Sequence, residues 1–194
     1  MRGWVGLLCC SLAVSAGASA QLTDQNKPEI HSDIREHFKY GSIGAEERAG
    51  IPYWIWIVLP DLFPQHLPRR AGKGYERFGL IFEDGKQRPI GTSLRERQIP
   101  LAGLNCAVCH AGSLRDSTDG ARRIILGMPA HQFDLQSYQR FVFACVRDSG
   151  FTAERILEAI RRVNADFPWF DSLIYTFFVI PRTRSQGAGV YTGL

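Results

Sequence analysis

The sequence predicts a mainly α-helical fold class with long loops and a few short strands, and three observations support this prediction. Two segments, 133–147 and 152–165, repeat apolar residues at the i, i+3, i+4 and i+7 spacing of a helix. Segment 64–100 is rich in proline and glycine, which favour loops and turns. Hydrophobic residues make up 45% of the 194 residues and aromatic residues 11%, which excludes wholesale disorder.

Each helical segment has its own predicted start. Asp134 can cap the first helix and Thr152 the second, because short side chains with an oxygen accept hydrogen bonds from the free N–H groups at helix N-termini. The first apolar stripe consists of Tyr138, Phe141, Val142 and Cys145. The second consists of Ile156, Leu157, Ile160 and Val163. We expect both stripes to face the core, where Cys145 would be a buried, inert thiol.

The remaining segments predict less regular structure. Residues 37–50 predict a glycine-punctuated loop with a short charged turn, and 79–83 predict a strand before a turn at Asp84-Gly85. The most apolar stretch, 51–63, predicts either buried core or the wall of a cofactor pocket. It cannot span a bilayer, because it is short and is interrupted by a proline and an aspartate.

The first twenty residues are typical of a secretory signal peptide. Arg2 supplies the positive start, 5–16 the apolar stretch, and Ala18-Ser19-Ala20 an A-x-A cleavage site. A retained membrane anchor is the alternative, but the apolar stretch is shorter than the ~20 residues that a span needs. Cleavage would leave 174 residues, lower the net charge from +4 to +3 and place the chain in an oxidising compartment, the periplasm.

The residues that carry chemistry are Cys106-Ala107-Val108-Cys109-His110. In an exported chain, C-x-x-C-H is a signature of covalent haem c attachment. The two cysteines lie on one face of a helical turn, where their thiols can add to the two vinyl groups of a porphyrin. His110 then offers a ring nitrogen to the iron. The sequence therefore predicts one haem c, held by Cys106 and Cys109, with His110 as proximal metal ligand.

Two other chemistries use the same cysteines. A zinc site would need four ligands, such as the three cysteines that remain after export and one histidine, but the chain has no second C-x-x-C pair. A thiol–disulfide centre needs C-x-x-C where a strand meets a helix, and 100–105 predicts a poor strand. We therefore favour haem over both alternatives.

The sixth haem ligand determines whether the iron only transfers electrons or also binds a substrate. Met128 is the single methionine left after export, and the loop Gly127-Met128-Pro129-Ala130 looks like the axial methionine loop of small cytochromes c. Met128 is therefore the favoured ligand. An open position that binds peroxide or dioxygen is the second interpretation, and ligation by His131 or another histidine is the third.

Other residues are candidates for a haem pocket on weaker grounds. The arginines near the motif could pair with haem propionates; they are Arg95, Arg97, Arg115, Arg122 and Arg123. The aromatic residues that could pack on the porphyrin, or equally on an ordinary core, are Tyr53, Trp54, Trp56 and Phe133. The remaining histidines, His31, His37 and His66, carry no motif and are expected to be structural or solvent-facing.

Segments 37–44, 50–56 and 105–110 together resemble the N-terminal part of rubber-oxygenase-like di-haem cytochromes, relatives of the bacterial di-haem cytochrome c peroxidases. The resemblance covers roughly residues 37–180. It implies a cytochrome c-like haem domain, a redox partner protein and a second haem domain that lies outside this chain. The family carries two C-x-x-C-H motifs and this sequence carries one.

The predicted organisation has four parts. They are a signal peptide over 1–20, an extended arm over 21–36, a c-type cytochrome domain over 37–181 and a flexible tail over 182–194, where the chain is either complete or truncated. The mild, scattered positive charge excludes nucleic acid as a partner. No integral membrane span is expected after the signal is removed.

The function expected from these features is one-electron transfer in the periplasm. The alternative is an enzyme, the N-terminal half of a di-haem peroxidase or dioxygenase with an open haem. A third interpretation is a remnant that binds haem but lacks partners. The sequence does not decide whether the protein is an enzyme.

Overall fold

The structure, a computed structural model, describes residues 26–117, 120–129 and 132–189. Its helices are α1 (Ile34–Tyr40), α2 (Ala45–Ala49), α3 (Tyr53–Leu62), α4 (Ala107–His110), α5 (Leu135–Arg147), α6 (Ala153–Val163), α7 (Trp169–Ile174) and α8 (Ile180–Gly189). Two 3₁₀ turns (Pro64–His66 and Gly74–Phe78) and a π-helical turn (Tyr175–Val179) join them. The strands are β1 (Lys27–Pro28), β2 (Ile51–Pro52), β3 (Thr92–Glu96), β4 (Leu101–Leu104), β5 (Ala111–Leu114) and β6 (Arg123–Leu126). The mainly α fold class with a few short strands is confirmed.

The strands form two small antiparallel sheets. One has the order β1-β3-β4-β2, with Leu94 opposite Ala102, and the other is the β5-β6 hairpin. The prediction that 100–105 is a poor strand is wrong, because β4 lies within it. Its small residues allow α2 to cross closely: a Cβ on Gly103 would lie 2.8 Å from Glu46 Cγ.

The predicted strand over 79–83 is also wrong, although the turn at Asp84-Gly85 is present. Gly79 adopts φ +88° and ends the second 3₁₀ turn. The chain then runs as an irregular segment that buries Leu80 and Ile81. Burial against the core therefore replaces strand pairing here.

The core forms around α3, which confirms the burial predicted for 51–63. Ile55 and Leu59 are fully buried, and α3 packs against α6. Both predicted helix starts are confirmed, because Asp134 Oδ1 accepts from the Ser137 N–H and Thr152 Oγ1 from the Arg155 N–H. The predicted stripes face the core except for one residue at the end of α6, Val163, which is 47% exposed.

The segments at the two ends of the domain are more regular than predicted. In the expected arm, Lys27–Pro28 pairs with β3, and the last residues belong to α1, whose N-terminus Asp33 caps. The expected loop over 37–50 contains the end of α1 and all of α2. In the expected tail, residues 182–189 belong to α8.

Helix α8 contains a proline near its start, at a point where the chain is already helical. Pro181 lies in the first turn of α8, directly after the π-helical turn, and the wider π geometry accommodates a residue that has no N–H to donate. Farther along, a Cβ on Gly187 would lie 2.6 Å from Val146, so α8 packs closely on α5.

Buried apolar residues form two clusters of unequal size. The main cluster surrounds α3, α5 and α6. The second, here called the motif cluster, consists of Tyr40, Ile81, Ile90, Ala107 and Ala111, with Phe38, Ile124 and Leu126 against it. The predicted signal peptide lies outside the described residues, among which no helix is both long and apolar enough to cross a membrane.

Candidate haem-attachment site

The C-x-x-C-H motif forms a single helical turn between two strands. Strand β4 ends at Leu104, Cys106 begins the turn and His110 ends it, directly before β5. The backbone N–H groups of Cys109 and His110 both donate to the Cys106 carbonyl, at 3.2 and 3.1 Å. The sequence folds in this way because the apolar residues inside the motif give the turn one buried side.

The reactive groups of the motif lie on the outer side of this turn. Cys106, Cys109 and His110 are exposed, whereas Ala107 is 1% exposed and packs in the motif cluster. Covalent haem attachment uses two thiols on one turn to bond the porphyrin and an imidazole directly after them to bind the iron. The residues present therefore fit the cofactor that the sequence predicts.

The buried side chain of Asn105 holds the start of the turn through hydrogen bonds to the backbone. Its side chain is 4% exposed, and its Oδ1 accepts from the Ala107 N–H at 2.9 Å. Its Nδ2 donates to the carbonyls of Gly41 and Lys39, at 3.0 and 3.3 Å. One buried side chain thus joins the motif to the end of α1.

Gly91 lies directly against the middle of the motif. Its N–H donates to the Lys39 carbonyl and its carbonyl accepts from the Asn105 N–H. It adopts φ +91°, and a Cβ at this position would lie 2.4 Å from the Cα of Val108. Only glycine permits this approach, because any other residue would overlap the backbone of the motif.

The β5-β6 hairpin returns the chain to the motif and brings Met128 with it. Ala111 pairs with Leu126, and the Gly127 N–H donates to the His110 carbonyl at 2.8 Å. Met128 is the next residue and is half-buried. Of the residues predicted as iron ligands, the structure therefore places His110 and Met128 close together in the fold, whereas His131 lies outside the described residues.

The third cysteine among the described residues does not join the motif. Cys145 is fully buried in the main cluster, where burial raises the pKa of its thiol far above the usual range. Its predicted burial is confirmed. Among the described residues, no group of three or more histidine, cysteine, aspartate or glutamate side chains is placed to hold a metal ion.

The other predicted histidines have structural partners. The ring nitrogen Nε2 of His31 lies 3.1 Å from Glu29 Oε1, and the backbone N–H of His31 donates to Nδ1 of His37. His66 Nε2 lies 2.8 Å from Asp148 Oδ2. The Gly150 N–H, and after it the His66 ring, hold the pKa of Asp148 below its usual range.

The predicted pocket aromatics are explained by the core. Trp56 stacks on Tyr75 with ring centroids 4.5 Å apart, and its indole N–H donates to the Tyr138 hydroxyl at 2.9 Å. Tyr53 and Trp54 pack in the same main cluster, and Phe133 packs on Tyr138. Of the motif residues, Val108 packs against this cluster.

Four of the five predicted propionate partners fall into two groups, and the fifth, Arg115, directly follows β5 and is exposed. Arg95 is buried and pairs with Glu47 at 3.1 Å. Arg97 lines a groove whose lining includes no residue of the motif. Arg122 and Arg123 stand on the hairpin side of the motif, where Arg122 donates to the Phe82 carbonyl and Arg123 lies 3.8 Å from Asp116. The hairpin arginines are the better placed candidates.

The motif turn closely follows a strand, which the sequence did not predict. Strand β4 ends two residues before Cys106, so the junction that a thiol–disulfide centre needs is present, and the reason for discounting that chemistry is wrong. Haem attachment keeps its support from His110, which follows the second cysteine directly and which a thiol–disulfide pair does not use.

Two residues that position the motif were missed from the sequence. An asparagine directly before the first cysteine is a local signal, because asparagine commonly caps helical turns. The requirement for glycine at position 91 gives no such signal, because it depends on a contact with a residue seventeen positions away. Comparison with protein families, curated proteins and solved structures finds no match to this chain.

Proposed function

We propose that this chain is an exported c-type cytochrome that carries one covalent haem and transfers electrons in the periplasm. The observation that supports it is the exposure of Cys106, Cys109 and His110 together on a turn whose other side is buried. Each thiol would add across one vinyl group, with sulfur bonding to one carbon and hydrogen to the other, so attachment needs no oxidant. Bound haem would supply the one-electron couple.

The motif would hold the cofactor through roles that differ by residue. Cys106 and Cys109 would anchor it, and His110 would offer an imidazole nitrogen to the iron. The hydrogen bond from the Gly127 N–H to the His110 carbonyl fixes the backbone on which that imidazole stands. Met128, beside it on the hairpin, is the proposed sixth ligand.

The first test is replacement of both motif cysteines by alanine. We expect C106A/C109A, exported in a host with haem-attachment machinery, to lose the covalent haem band on a denaturing gel. The measured mass should fall by one haem group relative to the wild type. C145A is the matched control, since it removes a cysteine from the main cluster and should keep the band.

Mass spectrometry of the wild-type chain separates the proposal from its main competitor. An added haem mass supports the proposal. A chain without haem that is lighter by two hydrogen atoms would identify a Cys106–Cys109 disulfide instead and contradict it.

The second test concerns the sixth ligand. Met128→Ala should remove the methionine–iron band in the red part of the oxidised spectrum and allow carbon monoxide to bind the reduced protein. Ile125→Ala, on the same hairpin, is the control and should keep the wild-type spectrum. An M128A spectrum identical to the wild type would show that Met128 is not a ligand. Carbon monoxide binding by the wild type itself would favour the peroxidase or dioxygenase alternative.

A further inference from the structure

A groove of about 830 Å³ lies apart from the C-x-x-C-H motif, between α2, α3, α5 and the start of α8. This volume is within the range of small-molecule sites, which runs from about 300 to 1,000 Å³. Its floor is apolar and includes Ile55, Leu59, Val146 and Val179, all of which are buried. The lining includes no residue of the motif or of the β5-β6 hairpin.

The charged residues around the groove leave an excess of positive charge. Arg48, Arg97 and Arg182 line it and are exposed, and among the described residues no side chain forms an ion pair with any of them. The two acidic residues of the lining already have partners. Glu47 pairs with Arg95, and the buried carboxylate of Glu46 accepts from the hydroxyls of Ser42 and Ser93.

We propose that this groove binds one long-chain monocarboxylate, a fatty-acid-like amphiphile. The alkyl chain would lie over the apolar floor, where burial removes it from water. The carboxylate would lie at the rim, because guanidinium groups bind carboxylates through paired, charge-assisted hydrogen bonds. Phe178, which is 69% exposed and also lines the groove, extends the apolar surface for a chain longer than the floor.

The three arginines come from distant parts of the chain. Arg48 is on α2, Arg97 follows β3 and Arg182 is on α8. Their place on the lining of one apolar groove is therefore a product of the fold and not of a local run of charge. The proposal does not depend on haem, so it can fail while haem attachment succeeds, and the reverse also holds.

The test is a calorimetric titration of the exported full chain with dodecanoate below its micelle concentration. We expect saturable binding of one dodecanoate per chain. Butyrate, which has the carboxylate without the long chain, and dodecyltrimethylammonium, which has the chain with the opposite charge, should each bind at least about tenfold more weakly. Equal affinity for butyrate or for the cation would overturn the proposal.

Two sets of variants locate the site. R48Q/R97Q/R182Q should weaken dodecanoate binding by at least about tenfold. R69Q/R70Q/R140Q removes the same charge from exposed positions outside the groove and should bind as the wild type does. A49W, which places a large side chain at an exposed lining position, should abolish binding while circular dichroism stays unchanged.

Three outcomes would contradict dodecanoate binding in the groove. The proposal is wrong if the two arginine triple variants bind dodecanoate equally, or if the folded A49W variant binds as the wild type does. It is also wrong if the chain binds phosphatidylglycerol vesicles but shows no saturable binding of dodecanoate. That result would assign the surface to a membrane instead of a free ligand.

Discussion

Replacing Gly91 by alanine should lower the free energy of unfolding by about 3–5 kcal/mol, the largest effect that we expect from any single methyl group near the motif. Part of the loss, about 1–2 kcal/mol, comes from forcing an L-residue to adopt φ +91°. The rest comes from overlap, because the new Cβ would lie 2.4 Å from the backbone N and Cα of Val108. The motif must then move away from the residues that support it.

Urea unfolding followed by circular dichroism measures this loss, and haem staining of the same variant measures its effect on attachment. Gly85→Ala is the matched control, since Gly85 adopts φ +74° but a methyl group added there would have no neighbouring atom within 4 Å. We expect it to cost only about 1–2 kcal/mol and to keep wild-type haem content. Equal losses for the two alanine variants would show that the close approach to Val108 is not what makes Gly91 necessary.

Replacing Asn105 by alanine should cost about 2–4 kcal/mol, because it leaves two buried backbone groups without a partner. These are the Ala107 N–H and the Gly41 carbonyl, whose hydrogen bonds to Asn105 measure 2.9 and 3.0 Å. The turn that carries the two motif cysteines loses its attachment to α1. We therefore expect a reduced fraction of covalently loaded chains in addition to the loss of stability.

Asn164→Ala is the control for the loss of an asparagine side chain. Asn164 ends α6 and is half-buried, and its side chain forms no hydrogen bond within the described part of the chain. Its replacement should change the free energy of unfolding by no more than about 0.5 kcal/mol. A wild-type midpoint and wild-type haem content for N105A would contradict the anchoring role of Asn105.

The features of the fold that were predictable from sequence are those that local chemistry determines. Helices α5 and α6 begin where Asp134 and Thr152 can cap them, and their buried faces follow the helical period. The turn at Asp84-Gly85 is equally local. These signals depend on neighbours within a few positions, so one sequence is enough to detect them.

The features that were not predictable depend on contacts between distant segments. Strand β4 contains an alanine and a glycine, which have low strand propensity, yet it pairs with β2 and β3. Its Gly103 leaves room for Glu46 of α2, a contact between segments that are distant in the sequence. Helix α8 packs closely on α5 where Gly187 contacts Val146, and these two residues are far apart in the sequence. In the site, the spacing of the motif was predictable, but its dependence on Gly91 was not.

The division of the apolar interior into two clusters has a consequence for cooperativity. Ala107 and Ala111 secure the attachment turn in the smaller cluster, whereas α3, α5 and α6 are held by the larger one. Segments with fewer buried contacts open at a lower free energy than the global transition. We therefore expect the motif cluster and the β5-β6 hairpin to open at a lower free energy than the helical core, with Val108, which packs against the larger cluster, as the contact that couples the two.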